Sequence, residues 1–133
     1  MRVDDVGRLQ VGGQAQLFAY GGQVLGLFHV SNTEAGTYVV AGDTVPSGKV
    51  WEITDVEAHA TGGTWSLIRT HVYDGTSAYI LNAAVNPAVQ QAIIFHGQVP
   101  VINPQCVRVV GVSTVSGGDL YLTTIGYKIK VLS

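Results

Sequence analysis

The segment 45–73, VPSGKVWEITDVEAHATGGTWSLIRTHVY, decides the fold class of this chain. A turn-forming Pro-Ser-Gly sequence leads into a run rich in Val, Ile, Thr and Trp, a glycine pair interrupts it, and a second run of the same kind follows. Apolar and polar residues alternate through much of both runs, which is the two-residue period of a β-strand. We therefore expect strands at 48–60 and 64–73.

The same pattern continues on both sides of this segment, where glycines, 17 in the whole chain, separate short β-type runs. No amphipathic helix and no long internal repeat interrupts it. The sequence predicts an all-β fold, a jelly-roll β-sandwich of about eight antiparallel strands occupying residues 14–133. Besides the two strands above, we expect strands at 14–20, 23–30, 36–41, 77–82, 90–96, 105–115 and 119–131.

Two hairpins are predicted from the turn sequences. With Thr61-Gly62-Gly63 as the loop, 49–60 pairs with 64–73 and Asp55 stands opposite Arg69; a two-residue loop would shift the pairing by one and separate these charges. The second hairpin joins 106–115 to 119–131. In the first hairpin, Val56 and Ile68 share the face expected to point inward. The other face is expected to be exposed and to bind a partner or a glycan through Asp55, Glu57, His59, Trp65, Arg69 and His71.

The core is predicted from the same alternation. Trp51 and Val56 have opposite parity, so both point inward only if a β-bulge lies between them. The residues that we expect to be buried are Trp51, Ile53, Val56, Ile68, Val109, Ile125, Tyr127 and Ile129.

Residues 1–13, MRVDDVGRLQVGG, differ from the rest of the chain because they alternate weakly and mix acids, arginines and glycines. They would add little to a sandwich core, so we interpret them as an N-terminal arm that binds a neighbouring subunit or a capsid. The side chains expected to make those contacts are Arg2, Val3, Asp4, Asp5, Val6, Arg8, Leu9 and Val11.

The composition indicates self-association and excludes several partners. Charged residues make up 12% of the chain, about half the usual share, whereas hydrophobic residues make up 47%. A free monomer with so few charges would expose much apolar surface, so we expect part of that surface to be covered by further copies of the chain or by a larger assembly. The net charge of −2 supplies no basic stripe for nucleic acid, and no apolar run is long enough to span a membrane.

The sequence contains no recognisable catalytic constellation. Its four histidines show none of the spacings that bring two imidazoles to one metal ion, and its single cysteine, Cys106, lies in an alternating strand where a thiol is packed rather than activated. Glycine pairs do not precede helices, so they do not indicate phosphate-binding loops. We therefore expect no enzymatic activity, no catalytic residue, no metal and no cofactor.

The runs VPSGKVWEITDVEAHATGG, WSLIRTHV and IFHGQVPVINPQCVRVVGV resemble the small jelly-roll virion proteins of tailed bacteriophages, most closely their capsid decoration, or cement, proteins. The resemblance covers residues 36–131. It implies a non-enzymatic virion protein, made in the host cytoplasm, that forms homotrimers on the outer capsid surface. Such a protein binds the major capsid protein and stabilises the shell by bridging capsomers, with N-terminal arms that extend to neighbours.

An alternative function is also consistent with the sequence. Similar jelly rolls occur in phage head and tail fibres as carbohydrate- or receptor-binding domains. In that case Trp65, Tyr73 and the polar hairpin face would contact a glycan, since aromatic rings stack on sugars.

Overall fold

The computed structural model describes residues 18–131, with side chains described for 21–130. The predicted arm, 1–13, lies outside the described residues. Within them, no helix is long and apolar enough to cross a membrane. The strands are β1 Phe18–Ser31, β2 Gly36–Ala41, β3 Val50–Ala60, β4 Trp65–Tyr73, β5 Ala78–Val85, β6 Ile93–Ile102, β7 Cys106–Ser113 and β8 Asp119–Val131.

The eight strands form two four-stranded antiparallel sheets that pack face to face. The first sheet has the order β1-β8-β3-β6 and the second has the order β2-β7-β4-β5. Consecutive strands lie in different sheets everywhere except at β4 and β5, which are joined as a true hairpin. This order is that of an eight-stranded jelly roll, so the predicted fold class is confirmed.

Both predicted hairpins are wrong, because their strands lie in opposite sheets. β3 pairs with β6 and β8, so Asp55 stands opposite His96 and Ile125, while Arg69 on β4 pairs with Val110 and Ala83. β7 and β8 are separated in the same way. The connections at 61–64 and 114–118 cross between the sheets instead of turning back. Alternation identifies strands, but it does not specify which strands pair.

The strand boundaries follow the sequence closely except at two places. Where the sequence predicts strands at 14–20 and 23–30, the described residues from Phe18 onward form the single strand β1, with an irregularity in its pairing between Tyr20 and Gly22, while 14–17 lie outside the described residues. β6 continues to Ile102, well beyond the predicted end at residue 96. Pro100 is tolerated there because β6 is an edge strand, where a missing amide donor leaves no ladder bond broken on the open side.

The core lies between the sheets, and half of the predicted core residues are fully buried. Ile53, Val56, Ile68 and Val109 are each at most 2% exposed. The pairing of β3 shifts between Ile53 and Asp55 against both neighbours. Against β6 the extra residue lies on β6, between His96 and Val99, whereas against β8 two steps along β3 match one step along β8, so Thr54 is an extra residue there. This is the bulge that the parity of Trp51 and Val56 required, although Trp51 itself is only half-buried.

The predicted inward face of β8 is wrong. Ile125 is 38% exposed, and Tyr127 and Ile129 are half-buried. The alternate positions Leu120 and Leu122 are fully buried instead. Lys128 and Lys130 share the parity of Leu120 and Leu122 and indicate a solvent-facing side, but both lysines lie near the end of β8, where they are exposed. A strand with apolar residues at both parities can be placed either way round.

Candidate interaction surfaces

A row of three stacked rings crosses the outer surface of the first sheet. The jelly-roll order places His29 on β1, Tyr121 on β8 and His59 on β3 opposite one another. The ring centroid of Tyr121 lies 5.3 Å from that of His29 and 5.1 Å from that of His59, with interplanar angles of 22° and 11°. These stacked rings hold three strands in register at one end of what we call the first face, the outward side chains of β1, β8, β3 and β6.

Two histidine–carboxylate pairs lie on the same face. Glu57 Oε2 is 2.7 Å from His59 Nδ1, and Asp55 Oδ1 is 2.7 Å from His96 Nδ1 on the neighbouring strand β6. The hydrogen bond from His96 lowers the pKa of the Asp55 carboxyl, and the hydroxyl of Thr54, which donates to the same carboxylate, adds to the effect. The Asp55 carboxylate therefore keeps its charge at neutral pH.

The remainder of the first face is markedly apolar. Leu25 and Leu27 on β1 are 68% and 74% exposed, and Ile94 and Ile125 are also exposed. Leu25, Leu27 and Ile125 are neighbours, because Leu25 stands opposite Ile125 and Leu27 lies one row away. Ile94 lies on the other edge strand, in the row of Leu27 but beyond Thr123 and Glu57. A set of adjacent uncovered aliphatic side chains on one sheet is typical of a surface that another molecule covers.

The opposite surface carries positive charge. On what we call the second face, the outward side chains of β2, β7, β4 and β5, Arg108 Nε donates to Nε2 of His71 at 3.1 Å. The Arg108 guanidinium also lies 3.6 Å from the centre of the Tyr73 ring, a cation–π contact. None of the four strands of the second sheet carries an Asp or Glu. Arg69 adds a second positive charge to this face.

His71 is fully buried beneath these groups. Desolvation lowers the pKa of its imidazole to about 4, and the charges of Arg108 and Arg69 act in the same direction. His71 is therefore neutral at pH 7, with Nε2 accepting the bond from Arg108 and the proton on Nδ1. Around this polar cluster the second face is again apolar, since Val39, Ile80 and Val85 are all exposed.

The predicted partner face is thus divided between the two sides of the molecule. Asp55, Glu57 and His59 share the first face, whereas Arg69 and His71 belong to the second. Trp65, predicted to be exposed, is 3% exposed and its indole nitrogen donates to the carbonyl of Gly62. The shift in pairing between Trp65 and Leu67 makes Ser66 an extra residue, and this turns Trp65 and Ile68 to the same, inner side.

Sequence reasoning missed His29, His96, Tyr121 and Arg108 as parts of these surfaces. Each is far along the chain from the residues that it contacts, and no local spacing connects them. The signal that could have found them is the jelly-roll strand order itself, which places β8 between β1 and β3 and places β7 beside β4.

Other chemistry is sparse in the described part of the chain. Among residues 18–131, no group of three His, Cys, Asp or Glu side chains is arranged to hold a metal ion. Cys106 is buried, and burial raises the pKa of its thiol, which disfavours the reactive thiolate. A cavity of about 110 Å³ opens between the sheets where Trp51, Asp43 and Lys128 meet.

Comparison with known proteins gives distant similarities. No family model matches the chain, and no curated protein matches its sequence. Among solved structures, the chain is similar to one from work on CBM4 structure and function (14% identity, 87% of this chain and 94% of that chain, TM-score 0.33). It is also similar to a chain of the cyanophage Pam1 capsid asymmetric unit (14% identity, 90% of this chain and 92% of that chain, TM-score 0.42). A third similar structure is that of Eiger TNF from S. frugiperda (8% identity, 74% of this chain and 91% of that chain, TM-score 0.28). The assignment of the jelly roll rests on the strand order of the two sheets.

Proposed function

We propose that this protein is a capsid decoration, or cement, protein: a non-enzymatic virion component that binds the outer capsid surface and bridges capsomers. The observation that carries the proposal is the pair of uncovered apolar surfaces on opposite sides of one small jelly roll. Leu27 on the first face is 74% exposed and Val85 on the second is 75% exposed. A protein with two such faces is suited to contact more than one neighbour at once.

The energetic argument is one of surface burial. Burying apolar surface contributes about 25 cal/mol per Å², so a few aliphatic side chains on each face supply several kcal/mol before the cost of association. Each ~1.4 kcal/mol of binding that exists only on the mature lattice favours that lattice tenfold over its competitors. Stabilisation of this kind needs no catalytic group, only a surface complementary to the assembled shell.

The partners that follow are the major capsid protein and further copies of this chain. The resemblance of residues 36–131 to phage cement proteins supports a homotrimer on the outside of the virion. The same low charge content that exposes apolar surface on the monomer also lowers the desolvation cost of burying it between subunits.

The test is where the protein lies in virus particles assembled with it. Heads and tails are separated from particles that contain the chain, and the protein is quantified in each fraction by immunoblotting. We expect it on heads, and we expect Leu27→Lys to lower its occupancy at least tenfold while Thr33→Lys, at an exposed loop position, leaves it unchanged. Recovery with tails, or equal occupancy of both variants, would contradict the proposal.

A second candidate, glycan binding, is favoured by one observation. Trp51 is half-buried at the cavity between the sheets, beside Asp43 and Lys128, so an aromatic ring and polar groups converge on one cleft. The two aromatic residues that the sequence suggests for this role are unsuited to it, because Trp65 is buried and Arg108 covers Tyr73. Titration with a panel of oligosaccharides, followed by tryptophan fluorescence, tests it: binding requires a saturable change that Trp51→Phe removes.

A further inference from the structure

Two positive charges on the second face have no counter-charge in the described part of the chain. Arg69 and Arg108 are both half-buried, and no Asp or Glu among residues 18–131 lies within ion-pair distance of either guanidinium. The Nε of Arg69 is buried and has no hydrogen-bond partner there. Holding an arginine partly out of water without an acceptor is costly, so this surface is suited to receive an anion.

The surroundings restrict what kind of anion fits. Val39 and Ile80 are exposed beside the arginines and belong to the same face. A free inorganic anion would satisfy the guanidinium groups but would leave these aliphatic side chains in water. A peptide segment that carries carboxylates next to aliphatic residues would satisfy both.

This chain contains such a segment outside the described residues. The sequence Val3-Asp4-Asp5-Val6 places two adjacent carboxylates between two valines. Twelve residues lie between Asp5 and Phe18, the first residue of β1, and the thirteen steps from one to the other span at most about 43–47 Å when extended. The two sheets of a sandwich are only about 10 Å apart, so the arm is long enough to extend past its own sandwich to the second face of an adjoining copy.

We propose that residues 1–13 bind the second face of an adjoining copy of this chain, with the carboxylates of Asp4 and Asp5 paired to the guanidinium groups of Arg69 and Arg108. A second copy is the partner because the low charge content of the chain favours self-association. The inference rests on the proposed role of these residues as a binding arm, and it assigns the surface that receives them. Arginine–carboxylate pairs are charge-assisted and directional, and partial burial protects them from screening by salt.

Disulfide trapping in the full-length chain tests the contact. In a background with Cys106→Ala, which removes the single native thiol, Val6→Cys is combined either with Val39→Cys on the second face or with Leu27→Cys on the first. Leu27 is the more exposed of the two acceptor positions, so accessibility alone favours the control. We expect the disulfide with position 39 to form at least tenfold faster. Equal rates, or faster reaction at position 27, overturn the proposal.

Charge changes test the assigned pairs. Asp4→Asn with Asp5→Asn leaves the sandwich untouched and should lower the rate at position 39 to that of the control. Arg69→Glu with Arg108→Glu should do the same, and adding Asp4→Arg with Asp5→Arg should restore it. If the asparagine variant reacts as fast as the parent, the pairing is wrong.

The same samples show which copy supplies the arm. We expect a cross-linked dimer or larger species on a non-reducing gel, because the arm binds a second copy. A cross-linked monomer would show that the arm binds its own sandwich and would overturn the proposal. No capsid is present in these measurements. Failure to bind capsids therefore contradicts only the proposed function, whereas failure of the selective disulfide contradicts only this inference.

Discussion

His71 combines full burial with two neighbouring arginines, and this gives the fold a specific pH dependence. Its pKa is lowered to about 4 in the folded protein, whereas an unfolded histidine titrates near 6.5. The unfolded chain therefore binds the proton more readily, so the stability contributed by neutral His71 is complete above pH 6.5 and is lost as the pH falls towards 4.

The expected loss of unfolding free energy between pH 7 and pH 4.5 is about 2–3 kcal/mol from this residue. Urea unfolding at a series of pH values measures it. The lowered pKa values of Asp55 and Asp74 place their contribution below pH 4, outside this window. His71→Gln should flatten the profile between pH 7 and 4.5; a profile that stays equally steep would assign the effect to another group.

Ile68 tests the core at the scale of a single side chain. It is 1% exposed on the inner side of β4, so Ile68→Ala removes buried methyl groups and leaves a cavity, at an expected cost of ~2–5 kcal/mol in the free energy of unfolding. The matched control is Leu27→Ala, which removes a side chain of the same size from the surface and should change stability by less than about 0.5 kcal/mol. Similar costs for both variants would contradict the assignment of Ile68 to the core and of Leu27 to the surface.

Individual residues also show how far the sequence predicts the surface. Ile68 and Val109 were predicted as core because clean alternation surrounds them. Trp65 was not, because Ser66 is an extra residue in the pairing with β7 and reverses the parity at that point. A bulge of this kind depends on the partner strand, so it leaves no reliable trace in the local sequence.

Among the strands, the central pairing of β3 with β8 depends on a close backbone approach. Gly126 is buried opposite Ile53, next to the bulge at Thr54, and a Cβ at this position would collide with the carbonyl oxygen of Glu52 and would lie 2.9 Å from the Cα of Ile53. Because backbone atoms cannot rotate away, the two strands would have to separate. Only glycine allows this contact.

We therefore expect Gly126→Ala to destabilise the fold by about 1–3 kcal/mol, as overpacking does in other cores. Gly97→Ala is the control, since a Cβ there would meet only the ring of Phe95, at 3.0 Å, and a side chain can move. Thermal unfolding followed by circular dichroism compares the two. The interpretation fails if Gly97→Ala is the more harmful substitution.

Strand positions were predictable from the sequence, but strand partners were not. β2 and β8 match their predicted limits, because each is bounded by turn residues. The connection through Gly62 and Gly63 has the composition of a hairpin loop, yet it crosses between the sheets, where Thr61 N donates to the carbonyl of Asp119. Long-range hydrogen bonds of this type decide the topology, and a local turn sequence does not encode them.

On the scale of the whole molecule, two opposite apolar faces predict self-association. The proposed homotrimer should give a mass three times 14.0 kDa in light scattering at micromolar concentration. Leu25→Lys places a charge on the first face, and Val85→Lys places one on the second. The variant whose charge lies in the face used for assembly should be a monomer, and the other should keep the mass of the oligomer. A monomer for the unmodified protein at every concentration measured would contradict an oligomer formed in solution.

The arm connects the sandwich to its proposed partners, and its removal separates the two candidate functions. Residues 1–13 precede Phe18, the first residue of β1, so deleting them leaves all eight described strands in the chain. We expect the shortened chain to keep the circular dichroism spectrum of the full chain. A cement protein would nevertheless lose contacts with its neighbours, so its association with capsids should weaken at least tenfold, a loss of ~1.4 kcal/mol or more.

The control for this deletion keeps the length of the arm and changes its chemistry. Replacing Val3, Asp4, Asp5 and Val6 by serine preserves the tether but removes the carboxylates and aliphatic side chains. A binding arm should fail in both versions, because it acts through those side chains. A receptor-binding domain needs the segment only as a spacer, so the serine version should behave like the full chain. Co-sedimentation with capsids that lack the protein distinguishes them, and full decoration by the shortened chain would place the capsid contact on the sandwich faces themselves.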